Sequence, residues 1–349
     1  MKLKKIINLI IIIICVCFIA GGGAFIYNSV NRYKISKNFV SIPLQFNPDD
    51  SSSTYVTKNT QITVFGSFVK GIQKGKDGAE SIVIRALSPL PAITVNGADA
   101  VTISLLVENV NPDFYAKSIA NSNISMTKVK TNTLQLNVTI GAEKMVKIKP
   151  IEPSAEGSSQ KYVILGDNRD GYDTFGQIIQ QVNGQNPVFV IDNGDLVFSE
   201  KPNQYRLFDQ MVSNISSTLY TTVGNHDIRG NNGRSTYTML YGPAYYSFDY
   251  ADSHFVFLDS SPGWAEKKAI SDEHYIWLEK DLKKAQGKRI FVITHIPPKD
   301  QRSGVTSNEI PNYANRVESG ENWLEQKLNN YNENKNMNHG FRDPKEAAS

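Results

Sequence analysis

The sequence predicts an α/β core with largely parallel strands, preceded by a small all-β sandwich and by a single apolar N-terminal helix. Three observations carry this. From residue 162 onward short apolar runs alternate with stretches whose apolar side chains recur at helical spacing, and strand, helix, strand repetition is the pattern of a parallel sheet. Between residues 38 and 153 apolar and polar side chains alternate with period two instead. Ahead of both, residues 6–27 form a run of 22 residues in which Asn8 is the only strongly polar side chain. The 349 residues, 40% hydrophobic and 20% charged, have the composition of a globular protein with an adequate core, and the length suggests two or three domains. A net charge of +3 is too small to argue for a nucleic-acid surface or an acidic partner.

At about 1.5 Å per residue the 6–27 run spans roughly 33 Å as a helix, enough for a bilayer core of about 30 Å. Ala20, Gly21, Gly22, Gly23 and Ala24 make a poor cleavage site, which favours an uncleaved single-pass anchor in residues 1–30 over a cleaved signal that would leave the protein secreted. Cys15 and Cys17, the only cysteines, both lie in this run, so no disulfide framework, zinc–thiolate site or cysteine nucleophile serves the rest of the chain. Lys2, Lys4 and Lys5 before the run are nearly balanced by Arg32, Lys34 and Lys37 after it. Orientation therefore rests on position: an export-type N-terminal segment puts the remainder outside the cytoplasmic membrane.

In residues 38–153, Val101, Ile103, Leu105 and Val107 alternate with Thr102, Ser104 and Glu108, and Leu134, Leu136 and Val138 alternate with Gln135, Asn137 and Thr139. This is the pattern of strands with one buried face. Turn-forming clusters at 47–53 and 109–113 separate such runs, and 150–159, rich in Pro, Ser, Gly and Glu, reads as a linker. No histidine falls here, so the expected role is a spacer or binding module.

Residues 162–165 read as the first strand of the α/β part. Phe175, Ile178, Ile179 and Val182 then recur at i, i+3, i+4, i+7 and predict a helix closed by Gly184. Residues 188–191 are the next strand, Tyr205, Phe208, Val212 and Ile215 mark the next helix, and 219–223 the third strand. A hairpin is expected at 245–250 and 255–259, a helix at 271–285 with Ser271 as N-cap, and a last strand at 290–294. Segments 227–241 and 297–313, with Arg229, Arg234, Lys299 and Arg302, are expected to be loops around an entrance.

Every candidate ligand falls at one of these strand ends, where parallel sheets gather their ligands. Asp167 follows the first strand, Asp195 the second, Asn225 and His226 the third, and His295 the last. Gly166, Gly194 and Gly224 precede three of them and let the backbone turn sharply. Singly, the aspartates could be turn caps and His295 a satisfied histidine ahead of Pro297 and Pro298; four strand ends bearing O and N donors together point to a site. Carboxylates mixed with amide and imidazole suit divalent or trivalent transition metals of the Mn, Fe or Zn type, and two carboxylates suggest two ions. Such a pair polarises a phosphoryl oxygen and generates hydroxide for in-line attack. His226 is then the expected proton donor to the leaving oxygen, with Asp227 placed to orient it.

The motifs Gly166-Asp167-Asn168-Arg169, Gly194-Asp195-Leu196-Val197, Gly224-Asn225-His226-Asp227 and Thr294-His295, in that order, resemble the calcineurin-like metallophosphoesterase superfamily, and more specifically its purple-acid-phosphatase-like bacterial members. Tyr245 to Asp249 and Trp277-Leu278 resemble its segments between the third and fourth motifs. The resemblance implies a layered α/β sandwich over residues 160–349, a phosphate-ester substrate, and an immunoglobulin- or fibronectin-like module before it. It further implies that Asp195 bridges two metals, that Asn225 and His295 bind the second and Asp167 the first, and that His226 assists the leaving group.

Two departures qualify this. The first motif of the family offers an imidazole where this chain has Arg169, and Phe198 stands where purple acid phosphatases supply a tyrosine, so the first metal position is short of a ligand. Arg169 is expected either to contact substrate phosphate, for which its guanidinium fork is well shaped, or to form a structural salt bridge. The closing Gly-His-x-His motif is absent, while Asp343-Pro344-Lys345-Glu346 begins a helix just before Ser349. A C-terminal truncation, with little or no turnover by the chain as written, is the expectation. The rival reading is a non-catalytic surface or binding protein on a degenerate scaffold.

Overall fold

The computed structural model describes residues 38–98, 100–116, 123–151, 160–229, 233–261 and 272–296. The apolar 6–27 run and the 297–349 segment lie outside the described residues, and among those described no helix is long and apolar enough to cross a membrane.

Residues 39–148 form ten strands and one short helix: β1 (Phe39–Ser41), β2 (Ser52–Val56), β3 (Thr60–Phe65), β4 (Ser67–Lys74), β5 (Glu80–Ala86), β6 (Ala92–Gly97), β7 (Val101–Glu108), α1 (Asp113–Ala116), β8 (Ile124–Lys130), β9 (Thr133–Ile140) and β10 (Met145–Ile148). They build a six-stranded sheet, β1-β4-β5-β7-β9-β8, and a four-stranded one, β10-β6-β3-β2. Alternation decides which side chains go inward. Ile103, Leu105 and Val107 of β7 and Leu134, Leu136 and Val138 of β9 are buried in one core with Ile62, Val64, Ile93 and Val95 of the other sheet. Burying one residue in two from each sheet encloses an apolar layer between them.

The second part contains β11 (Tyr162–Leu165), α2 (Tyr172–Gly184), β12 (Phe189–Asp192), α3 (Pro202–Val212), β13 (Thr218–Thr221), α4 (Gly233–Tyr241), β14 (Tyr246–Tyr250), β15 (Ser253–Leu258), α5 (Asp272–Lys284) and β16 (Arg289–Thr294). β11, β12 and β13 are parallel and end level, Leu165 beside Asp192 and Asp192 beside Thr221. β14 and β15 form the antiparallel hairpin, its two-residue turn helped by Ala251 at φ 51°, and β16 lies parallel to β15.

Both faces of the central strands are buried, to different partners. Phe189 and Ile191 of β12 join Tyr246, Phe248, Phe255 and Phe257 in a core between the two three-stranded sheets, while Val190 faces the opposite way into a core with Phe175 and Ile179 of α2 and Phe208 of α3. Likewise Val256 and Leu258 of β15 pack on Trp277, Leu278 and Leu282 of α5. The result is a helix, sheet, sheet, helix sandwich with the ends of β11, β12, β13 and β16 gathered at one edge. One segment departs from expectation. Residues 233–241 are a helix rather than an entrance loop, because Tyr237, Leu240 and Tyr241, at i, i+3 and i+4, all find places in the α2–α3 core.

Candidate metal centre

The level ends of β11, β12 and β13 bring three loops side by side, and glycines let their backbones touch. Gly194 has φ +91°, and a Cβ on it would stand 2.7 Å from the Gly224 nitrogen; a Cβ on Gly224 would stand 2.7 Å from Asp195 Cα and closer still to that residue's amide nitrogen. No larger residue fits either place without moving the other loop. Main-chain bonds fix the approach: the Asp167 amide donates to the Gly194 carbonyl at 3.0 Å, and the Arg169 amide to the Asp195 carbonyl at 3.0 Å. Asp167, Arg169 and Asp195 all adopt left-handed φ, at 56°, 45° and 55°. Three such non-glycine residues within one loop cluster are unusual, and strain of this kind concentrates at functional sites. The second sheet is tied to the same edge by the Thr222 hydroxyl on the Leu258 carbonyl at 2.9 Å and the Ser261 hydroxyl on the Val223 carbonyl at 2.9 Å.

The four expected metal ligands meet here. Asp195 is fully buried. Its Oδ1 accepts the His226 backbone N–H at 2.8 Å and faces His295 Nε2 at 3.3 Å, and Asn225 Oδ1 lies 3.2 Å from the same nitrogen. His295 donates its Nδ1 proton to the Asn193 carbonyl at 2.9 Å. With Nδ1 committed as a donor, Nε2 is the ring atom left to ligate an ion, and it faces two oxygens. Three electron-rich atoms aimed at one another are the donor set of a cation site, and a transition metal of the Mn, Fe or Zn type fits them. Donor atoms of Asp167, Asp195 and His295 all lie within 4.8 Å of one another.

The Asp167 side of the centre is different. Asp167 is 62% exposed, and Arg169 lies across it and Asp195: Nη2 is 2.9 Å from Asp167 Oδ1 and 3.0 Å from Asp195 Oδ2, and Nε is 3.1 Å from the same Asp195 Oδ2. Of the two roles open to Arg169 in the sequence, the geometry shows the ion pair. The oxygens a metal would need at this position are those the guanidinium spans.

His226 is buried beside these groups. Its Nδ1 donates to the Phe198 carbonyl at 2.8 Å, and its Nε2 lies 3.8 Å from Asp195 Oδ2 and is contacted by Arg229, whose guanidinium stacks 5.5 Å from the Phe198 ring. Burial holds the His226 imidazole below the usual histidine range, aided by Arg169 and Arg229 and opposed by the Phe198 carbonyl and Asp195. Asp227 was expected to orient this ring and does not. It is fully buried, and its carboxylate accepts the Gly224 amide at 2.8 Å and the Val197 amide at 3.2 Å, so it braces two ligand-bearing loops. Burial pushes its carboxyl up to about 8. The ring of His226 turns away from the neighbouring side chain because the 193–198 loop brings a carbonyl within reach.

Two partners were not singled out in the sequence. Asn168 donates to Asp192, a carboxyl that burial holds well above the usual range at the end of β12, and so fixes the loop that carries Asp167. Arg234, expected at an entrance, instead pairs with the buried Asp259 and donates to the Ser261 carbonyl. Asp192 had a legible signal in lying three residues before Asp195 at a strand end; the carbonyls of Asn193 and Phe198 had none, since any residue supplies a carbonyl.

A sandwich of two sheets, with carboxylate, amide and imidazole donors gathered where strands end, is an arrangement able to hold a metal ion. Residues 160–331 match the calcineurin-like phosphoesterase family, which supports a metallophosphoesterase superfamily domain in this part of the chain. It is 30% identical over 116 residues to a probable glycerophosphodiester phosphodiesterase of Arcobacter nitrofigilis, covering 32% of this chain and 42% of that protein. It is 27% identical over 134 residues to a glycerophosphodiester phosphodiesterase of Enterobacter lignolyticus, covering 35% of this chain and 46% of that one. The chain thus spans less than half the length of either relative. Among solved structures it is similar to a purple acid phosphatase from yellow lupin (Lupinus luteus) seeds, with a TM-score of 0.40 and 15% identity over 64% of this chain and 52% of that one.

Proposed function

We propose that this protein hydrolyses phosphate esters at the Asp195–Asn225–His295 centre, with diesters the first class to test because both relatives are named as phosphodiesterases. The observation that carries the reading is the convergence of Asp195 Oδ1 and Asn225 Oδ1 on His295 Nε2 while the other nitrogen of that ring is committed to Asn193. Of the two positions of the expected dinuclear centre, these three residues would hold one ion, while Asp167 and Asp195 carry the oxygens of the other, which Arg169 spans. A Mn, Fe or Zn ion supplies polarisation of a phosphoryl oxygen and a more acidic water.

The chain's own residues do the rest. His226, anchored through Nδ1 by the Phe198 carbonyl, presents Nε2 to the site as the atom that would take up the proton the attacking water loses and pass it to the leaving oxygen. Arg229 contacts that nitrogen and must release it first; a substrate phosphate is the anion that draws a guanidinium away. Asp227 keeps the loops of Asp195 and Asn225 at a fixed separation through the Val197 and Gly224 amides.

The test is the protein expressed from its full reading frame, stripped by chelator, reloaded with Mn, Fe or Zn, and assayed on paired chromogenic mono- and diesters. Turnover that Asp195→Ala and His226→Ala abolish is the expected result. Absence of both metal uptake and turnover would make it a non-catalytic binding protein on the same scaffold.

The reading includes location. The apolar 6–27 run supports a single-pass anchor, with residues 38–148 a spacer or binding module that holds the phosphoesterase domain outside the cytoplasmic membrane. Protease added to intact cells is expected to remove everything after about residue 30; full protection would reverse the orientation.

A further inference from the structure

We propose that Arg169 takes the place of the first metal ion, so that the centre holds a single transition-metal ion at Asp195, Asn225 and His295 with a fixed guanidinium beside it. The inference rests on the phosphoesterase reading and narrows it.

A carboxylate that bridges two metals can give one oxygen to each. Asp195 does divide its oxygens, but between a metal site and a guanidinium: Oδ1 faces His295 Nε2 at 3.3 Å, while Oδ2 takes Arg169 Nη2 at 3.0 Å and Nε at 3.1 Å. The same Nη2 reaches Asp167 Oδ1 at 2.9 Å, so one rigid fork spans both carboxylates that a first ion would require. Arginine keeps its charge at any pH the protein tolerates, so it cannot turn itself into a ligand. Nor is it loosely placed. Its backbone, at φ 45°, is bonded through its amide to the Asp195 carbonyl at 3.0 Å, which aims the side chain back over the residue that would do the bridging. Phe198, the neighbouring ring in the site, offers no donor atom to replace what the guanidinium takes; its phenyl lies 5.4 Å from the His226 ring centroid. The chemical consequence is a +1 charge on a covalent tether where a second dication would stand, with a planar fork suited to a phosphate oxygen.

Metal stoichiometry tests this independently of turnover. The full-length protein, stripped and then equilibrated with Mn(II), is expected to hold one ion per chain by dialysis and elemental analysis, and to give the spectrum of an isolated Mn(II) in electron paramagnetic resonance. Arg169→His, which exchanges the fork for an imidazole, is expected to rise toward two ions per chain with a spin-coupled Mn pair. Two ions in the wild-type chain, or a folded Arg169→His chain that stops at one, would overturn the proposal and leave the phosphoesterase reading standing. No ion in the wild-type chain would overturn both. The wild-type count and spectrum decide the matter even if the variant fails to fold.

Discussion

His226 and Asp227 sit side by side in the sequence and do different work. The imidazole looks into the site, and the carboxylate looks back into the loops. Removing the proposed proton donor with His226→Gln is expected to lower kcat by about 10²- to 10⁴-fold with metal content unchanged, and by more for esters with poor leaving groups. A loss equal across leaving groups would mean the ring only positions the substrate. Asp227→Asn sets an amide against two backbone N–H groups, and the expected outcome is a stability loss of about 1–3 kcal/mol, read as a lower denaturation midpoint. The pH dependence of kcat in the surviving folded fraction should not move; a shifted pH profile at unchanged stability would restore the orienting role that adjacency suggests. Adjacency in a turn says nothing about where each side chain points, and the carbonyl of Phe198 that holds the imidazole is invisible in a string of residue types.

Between elements, the position of the ligands depends on backbones that nearly touch. Gly224→Ala places a Cβ against the Asp195 backbone, and the loops after β12 and β13 must part. The expected result is loss of metal uptake at modest cost to the fold, measured by calorimetric titration beside circular dichroism; unchanged uptake would show that the loops yield elsewhere. The hairpin and α5 are joined by a different device. His254 of β15 is buried and bonds Asp249 of β14 at 2.7 Å and Asp281 of α5 at 2.9 Å, with Ser247 on the other Asp281 oxygen at 2.9 Å. Burial alone would lower its pKa, but the two carboxylates outweigh it and hold the imidazolium up to about 9, against an ordinary 6.5. A pKa raised by folding means the contribution is complete below about 6.5 and is lost as pH rises through about 9. Wild-type stability is therefore expected to fall across that window by on the order of 3 kcal/mol more than that of His254→Gln, as measured by denaturation midpoints at a series of pH values. Parallel curves would remove His254 from this role. The helical spacing in α2, the period of β7 and β9 and the strand ends were all legible, because each is a local pattern. Helix α4 was not, because its apolar face is recognisable only once the α2–α3 core it fills is known.

Across the whole molecule, the β-rich part and the phosphoesterase domain share a core. Phe68 and Leu87 are buried with Phe189, Tyr220 and Phe248. Asn109, at φ 61°, uses its side-chain amide like a short strand: it accepts the Leu219 N–H at 2.7 Å and donates to the Leu219 carbonyl at 2.9 Å and the Ala86 carbonyl at 3.0 Å. Trp277 adds a bond to the Pro48 carbonyl at 2.9 Å. Such an interface makes the two parts unfold together, so calorimetry is expected to show one transition, and Phe68→Ala to lower its midpoint by the equivalent of about 3–5 kcal/mol. Two separated transitions in the wild-type protein would show the parts to be independent. The sequence by itself determined which candidate ligand residues follow strands and that glycine precedes three of them, because these follow from residue chemistry and short-range periodicity. Only the tertiary structure decided that Arg169 spans Asp167 and Asp195, that Asp227 serves the loops rather than the imidazole, and that Asn109 closes the edge of a sheet 110 residues away. Those outcomes depend on distances between segments far apart in the chain, which the packing of two sheets face to face sets and no local pattern records.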